Sequence, residues 1–188
     1  MMIKSTKVRA LLVLGMLLFS LASCDDDKNE RTYELLPPNA EEELDMTEVG
    51  TLSVNVENGS GPTGGEGSPK LVDKSVDTKF LINPYRDTLW MELNLLASQR
   101  IDAYTMSSGD DTPARDPKNW VLRGSKDRVT WVDLDTQVDQ VFPTRKLTKR
   151  YDFTNATEYK YYRLYITANA GNSLFQMSEW RIIRKPLP

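Results

Sequence analysis

Between Thr88 and Leu95 the chain alternates without a break, with Leu89, Met91, Leu93 and Leu95 on one side and Trp90, Glu92 and Asn94 on the other. A period of two is the signature of a strand, because successive side chains leave opposite faces of the backbone. The pattern recurs in Tyr161–Thr167, where Tyr162, Leu164 and Ile166 oppose Tyr161, Arg163 and Tyr165, and in Thr51–Glu57, where Leu52, Val54 and Val56 alternate with polar neighbours. Further strands are expected over Arg100–Ser107, near Arg150–Phe153 and over Leu174–Arg184. No sustained helical period interrupts them. Short strands separated by turn chemistry predict an all-β protein, an antiparallel β-sandwich.

The stretch from Ser107 to Trp131 carries the most information. Two prolines, a glycine and several aspartates disfavour a regular element from Gly109 to Pro117, since proline lacks a backbone donor and pushes the residue before it into extended backbone. A strand then begins at Asn119, with Trp120, Leu122 and Gly124 on one face and Val121 and Arg123 on the other. Turn chemistry in Gly124–Asp127 leads into Thr130–Val132. Trp120 and Trp131 are expected in the core, while Trp90 and Trp180 suit either side of a sheet.

Thr105–Ser108, Asp110–Asp111, Arg115–Pro117, Trp120, Gly124–Ser125, Asp127, Thr130–Trp131 and Leu134–Asp135 together resemble the discoidin domain. This is also called the coagulation factor 5/8 type C domain, and it includes bacterial family-32 carbohydrate-binding modules. The resemblance implies a galactose-binding-domain-like jelly roll that holds a ligand, usually a glycan, in loops at one end. By position those loops supply Tyr85 and Arg86, then Asp110, Asp111 and Arg115, then Asn169, Asn172 and Leu174. Carboxylates, amides, guanidinium groups and an aromatic are the types that pair with sugar hydroxyls and cover the C–H faces of sugar rings. Arg115 and Asp116 are also placed to form an internal salt bridge. The family's galactose-binding members use a histidine in the first loop, and this chain has none.

Lys70–Phe80 is similar to the family segment that binds calcium. Carried over by position, the ligands are the carbonyls of Lys70, Ser75 and Ser178, both oxygens of Thr78, and the carboxylates of Asp73 and Glu179. An all-oxygen set with two charges suits a hard cation, here structural calcium. Lys74 stands where the family usually has glycine, and Ser75 where it has Asp or Asn. Upstream, Asn58–Ser68 is rich in glycine but lacks a Gly-Lys-Ser/Thr ending and a following helix, so it reads as a flexible connector rather than a phosphate cradle. Gln137–Lys149 reads as a long polar excursion.

The amino terminus is of another kind. Lys4, Lys7 and Arg9 precede an apolar run from Ala10 to Phe19, which marks residues 1–23 as a signal peptide. Ala22 and Ser23 before Cys24, the one cysteine of the chain, resemble a bacterial lipobox, which implies lipidation of Cys24 and a membrane anchor. Residues 24–49 read as a disordered acidic tether, with ten acids from Asp25 to Gly50 against Lys28 and Arg31. A short helix from Glu41 to Met46 is compatible with that reading. The sandwich domain is then expected over residues 50–188. Asp25–Asp27 looks like the export signal of surface lipoproteins, which places the chain on the outer membrane facing the cell exterior.

No basic stripe with interleaved aromatics is present, so nucleic acid is not expected as a partner. Without histidine, and with its cysteine lipidated, the chain lacks the groups for histidine-dependent triads and histidine metal sites. The expectation is a non-catalytic carbohydrate-binding surface lipoprotein serving polysaccharide capture and uptake. The alternative is an adhesive or structural envelope subunit that grips a protein partner through the same loops.

Overall fold

The computed structural model describes residues 42–186. The segments read as signal peptide and tether, with Cys24, lie outside the described residues up to residue 41, as do residues 187 and 188.

Eleven strands follow one another: β1 (Leu44–Asp45), β2 (Gly50–Val54), β3 (Phe80–Ile82), β4 (Leu89–Gln99), β5 (Ala103–Ser107), β6 (Pro117–Ser125), β7 (Trp131–Gln137), β8 (Thr148–Asp152), β9 (Tyr159–Asn169), β10 (Phe175–Met177) and β11 (Glu179–Arg184). Five form one sheet in the order β2-β4-β9-β6-β7. Four form the facing sheet in the order β1-β11-β5-β8, and β3 pairs with β10. The pairings are antiparallel, as the alternation of wet and dry residues requires of sheets with one solvated face.

The dry faces meet in one core. Leu89, Met91, Leu93, Leu95, Trp120, Leu122, Tyr162, Leu164 and Ile166 enter from the larger sheet, and Tyr104, Met106, Trp180 and Ile182 from the smaller. Buried hydroxyls are anchored: the Trp120 Nε1–H donates to Tyr104 Oη at 2.7 Å, and Tyr104 Oη donates to Asp135 at 2.6 Å. Tyr162 Oη donates to the Gln99 carbonyl at 2.5 Å. Gly124 lets the Tyr159 ring lie against β6, because a Cβ there would meet that ring at 2.6 Å.

Four expectations are corrected. Residues 44–49, assigned to the tether, belong to the fold. Leu44 and Asp45 pair with Arg184 and Ile183, and buried Thr47 accepts from the Ile182 amide through Oγ1. Composition counted the acids but missed that the edge of β11 needs a partner. As part of that same correction, Leu44–Asp45 is strand where a helix was compatible. The glycine-rich segment is pinned rather than slack: Glu57 accepts from Ser68 N and Oγ, and Asn58 Nδ2 donates to the Leu81 carbonyl at 2.7 Å. The span 174–184 is two strands, since the chain leaves β3 at Met177 and joins β5 at Glu179.

Trp131 is the fourth correction. It lies half-buried on the outer face of the larger sheet, where its indole N–H donates to the Arg128 carbonyl at 3.1 Å. The turn shifts it out of the inward register of β6. Trp180, by contrast, is fully buried.

Candidate functional site

The loops at one end of the sandwich are tied to one another through backbone atoms. Tyr85 N donates to the Ser173 carbonyl at 2.7 Å, Asn172 N to that of Ala114 at 3.1 Å, and Ala170 N to that of Asp116 at 2.9 Å. Lys146 N donates to the Gly109 carbonyl at 3.1 Å. The rim therefore joins the segments 83–88, 108–116, 138–147 and 169–174.

Asp116 is the keystone of this rim. It is buried, and Arg145 grips it with two bonds of 3.0 and 2.5 Å while also donating to the Phe142 carbonyl. Gln176, fully buried, donates to the Thr112 carbonyl at 3.0 Å. Gly109 presses on that amide so closely that a Cβ would meet it at 2.7 Å. The pairing of Arg115 with Asp116 expected from adjacency does not form. Arg115 turns instead to Asp111 at 3.2 Å, and Asp116 takes its partner from 29 residues away.

The residues expected to hold a ligand divide into two groups. Asp110 and Asp111 converge on Lys79 Nζ at 2.8 and 2.9 Å, with Arg115 beside Asp111. The Lys79 ammonium holds the Asp110 carboxyl below its ordinary range. Burial opposes ionisation of Asp111, but bonds from Lys79 and the Thr112 amide outweigh it and lower that carboxyl too. Tyr85 belongs to the second group. It stacks on Phe175 at 5.8 Å between ring centroids, and burial, helped by Asp87 and Tyr165, pushes its hydroxyl up to about 12. Arg86 is exposed next to it.

The two asparagines differ. Asn169 is consumed by its own loop, donating to the Asn172 and Leu174 carbonyls and accepting from Gly171 N. Asn172 accepts from Leu174 N at 3.0 Å and is half-buried.

Beside Asp116 a concavity of about 430 Å³ opens, lined by Pro113, Ala114, Lys118, Gln140, Val141, Phe142 and Ala170. Apart from Asp116, which the salt-bridge expectation named, its lining was not foreseen, and Lys79 and Arg145 were likewise missed. Lys79 sits in the Thr-Lys-aromatic segment that the resemblance singled out, which was the available signal. Arg145 gave none beyond its place in a polar excursion.

The calcium-like segment brings Asp73, Ser75, Thr78 and Glu179 together. Thr78 Oγ1 lies 3.0 and 2.8 Å from the two Asp73 oxygens and 3.2 Å from the Ser75 carbonyl, and Ser75 N donates to Glu179 at 3.0 Å. Lys74 adopts φ +67°, the left-handed region that favours glycine, which explains why glycine is usual there. Its ammonium leaves the loop to pair with Glu48. Lys70 Nζ contacts Asp73 at 3.3 Å.

Burial pushes the Glu179 carboxyl up to about 7, with Arg181 pulling it down and Asp73 opposing its ionisation. Asp73 is lowered: burial works against its charge, and bonds from Thr78, Glu179 and Lys70 overcome it. One carboxyl raised and its neighbour lowered is a setting in which a divalent cation would displace a proton from Glu179. Among the described residues no three carboxylate, histidine or cysteine side chains converge on one point. A metal here would lean on carbonyl and hydroxyl oxygens, and the donor set fits calcium.

A two-layer antiparallel sandwich whose loops gather into one polar rim, with an oxygen-rich loop stapled to the last strand, defines a β-sandwich domain with a loop-built surface at one end. The F5/8 type C domain model matches residues 54–180, and the chain belongs to that family, the discoidin domains.

The fold is shared with a Clostridium perfringens carbohydrate-binding module, CpGH89CBM32-5, solved with GalNAc-β-1,3-galactose. The two have a TM-score of 0.61 and 15% identity, over 73% of this chain and 96% of that one. It is shared likewise with chitosan-binding module 1 of a Paenibacillus sp. IK-5 chitosanase/glucanase, with a TM-score of 0.59 and 17% identity over 74% and 98%. A segment of 68 residues, 35% of the chain, is 43% identical to peptide-N(4)-(N-acetyl-β-glucosaminyl)asparagine amidase of Arabidopsis thaliana; the chain spans 9% of that protein's length.

Proposed function

We propose that this protein is a non-catalytic carbohydrate-binding module, held on the outer membrane by acyl chains on Cys24 and facing the exterior, where it captures polysaccharide for uptake. The observation that carries the reading is the rim. One end of a rigid sandwich presents an aromatic, guanidinium groups, carboxylates and an amide from separate loops locked together beneath by Asp116 and Arg145. Modules of the same fold have been solved with galactose-containing sugar or described as chitosan-binding, which supports a glycan without naming it.

The chain supplies no histidine, and Asp110 and Asp111 are neutralised by Lys79 rather than poised to transfer protons. Structural calcium between Asp73, Ser75, Thr78, Ser178, Glu179 and the Lys70 carbonyl belongs to the proposal. Its support is the gathering of Asp73, Ser75 and Thr78 oxygens in one loop that is tied to Glu179 of the last strand. Affinity electrophoresis across a panel of neutral polysaccharides tests the reading, with Arg115→Ala and Tyr85→Ala expected to abolish retardation.

A second reading rests on a different observation. Val138 and Val141 are 60% and 67% exposed beside the concavity, and exposed apolar surface of that kind marks protein contacts. An adhesive or structural subunit would use it, and capture of an envelope partner that soluble sugar does not displace would favour that role.

A further inference from the structure

The outer face of the five-stranded sheet carries a chemistry separate from the rim. Strand register lays three rows across it. In the middle row Glu92 faces Arg163, which faces Arg123, which faces Asp133. On one side of it run Trp90 and Tyr165, and on the other Asn94, Tyr161 and Trp131. A charged row is thus bordered by aromatics on both sides.

The cations of this face are fixed in place. The guanidinium carbon of Arg163 lies 4.0 Å from the Trp90 ring centroid and 4.1 Å from that of Trp131, so the group is held between two indoles. Its Nε and Nη2 donate to Glu92 at 3.1 and 2.7 Å. Arg128 reaches back from the turn between β6 and β7, with its Nε 2.8 Å from Glu92 and its guanidinium 4.6 Å from the Tyr161 centroid. Arg123 lies 5.1 Å from the Tyr165 centroid and pairs with Asp133 at 2.7 Å.

These contacts leave the face positive. The Glu92 carboxylate is only 1% exposed, enclosed beneath two guanidinium groups, while the Arg128 side chain is 47% exposed and that of Arg123 34%. Three arginines stand against one enclosed and one exposed carboxylate, in a chain whose formal net charge is −3. Arg163 and Arg123 stand opposite each other on neighbouring strands, whose spacing of about 4.8 Å is comparable to one pyranose residue. Side chains already immobilised on aromatic rings lose little further entropy when they bind.

We propose that this face is a second binding surface, one that takes an anionic polysaccharide. Carboxylate or sulfate groups pair with the outward N–H edges of Arg123, Arg128 and Arg163, while sugar rings lie against Trp131 and Tyr165. It is distinct from the rim and does not depend on the rim binding a glycan.

Affinity electrophoresis of the full chain in gels containing polygalacturonate, dextran sulfate or neutral galactan tests the proposal. Arg163 is left intact so that buried Glu92 keeps a guanidinium partner bonded to it when Arg128 is replaced, and the Arg123→Gln/Arg128→Gln double variant is compared with wild type. Wild type should be retarded by a polyanion: polygalacturonate alone identifies carboxylate as the partner, dextran sulfate alone identifies sulfate, and both mean either serves. The double variant should bind that polyanion roughly tenfold or more weakly, since each charge-assisted hydrogen bond lost costs about that much. The Arg123→Lys/Arg128→Lys variant should recover part of the binding, and 0.5 M salt should weaken it in wild type. Rim variants should leave polyanion retardation unchanged. Absence of wild-type retardation by both polyanions, or equal retardation of wild type and the Gln variant, overturns the proposal whatever the rim binds.

Discussion

Asp116 and the pair Asp110 and Asp111 stand a few residues apart in one loop and do opposite work. Asp116 is 4% exposed at its side chain and locked to Arg145, whereas Asp110 and Asp111 are 41% and 43% exposed around Lys79. The first is scaffold and the second is surface. Residue type alone does not decide which acid meets a ligand; depth does, because a buried charge that loses its partner pays full desolvation and an exposed one is simply rehydrated.

The largest effect that would break this contrast comes from Arg145→Ala. It strands the Asp116 carboxylate in a buried setting and should cost about 3–5 kcal/mol, read as a fall in the urea midpoint. A loss below about 1 kcal/mol would mean that Asp116 is no more structural than its neighbours. Gly109→Ala comes next. The added methyl strikes a Gln176 side chain that is buried and bonded on its amide, and about 1–3 kcal/mol of destabilisation is expected in the same assay.

Metal and pH sharpen a parallel contrast between Glu179 and Asp73. Glu179 is raised from 4.5 to about 7, so the folded protein holds that proton more tightly than the unfolded chain does. Its contribution to stability without metal is therefore lost as pH rises from about 4.5 to 7. Asp73 is lowered, and its contribution is lost only as pH falls below its ordinary value of 3.8. Thermal midpoints in EDTA should drop between pH 5.5 and 7.5, and millimolar calcium should restore several degrees at pH 7.5. No calcium response at that pH would remove the metal from the account. The smallest stability effect is expected from Asp110→Asn, within about 1 kcal/mol of wild type by denaturation.

Much of the fold was legible because alternation is local. The inward sets of β4 and β9, and of β6 from Trp120 on, were readable from period two alone, and the likeness of Lys70–Phe80 to the family's calcium segment marked the oxygen-rich loop. What stayed hidden depended on distant partners. Arg145 reaches Asp116 across 29 residues, and nothing in Phe142–Arg145 announces it. Residues 43–49 looked like tether because they close an acidic run, yet Glu43, Asp45 and Glu48 are each paired with a cation from the sandwich, Arg150, Arg181 and Lys74. Trp131 was read as core because hydrophobic size was weighed without the turn that sets its face. At the rim, the sequence identified the residue types but could not show that Asn169 is spent on its own loop.

The central claim is that the locked rim grips a glycan through exposed side chains. Isothermal titration of the full chain with the neutral polysaccharide that retards it most, compared with Arg115→Ala, tests this directly. Binding reduced at least tenfold with the urea midpoint unchanged is the predicted result. Equal affinity in the two proteins, or sugar binding that disappears only when Arg145→Ala unfolds the rim, would contradict it.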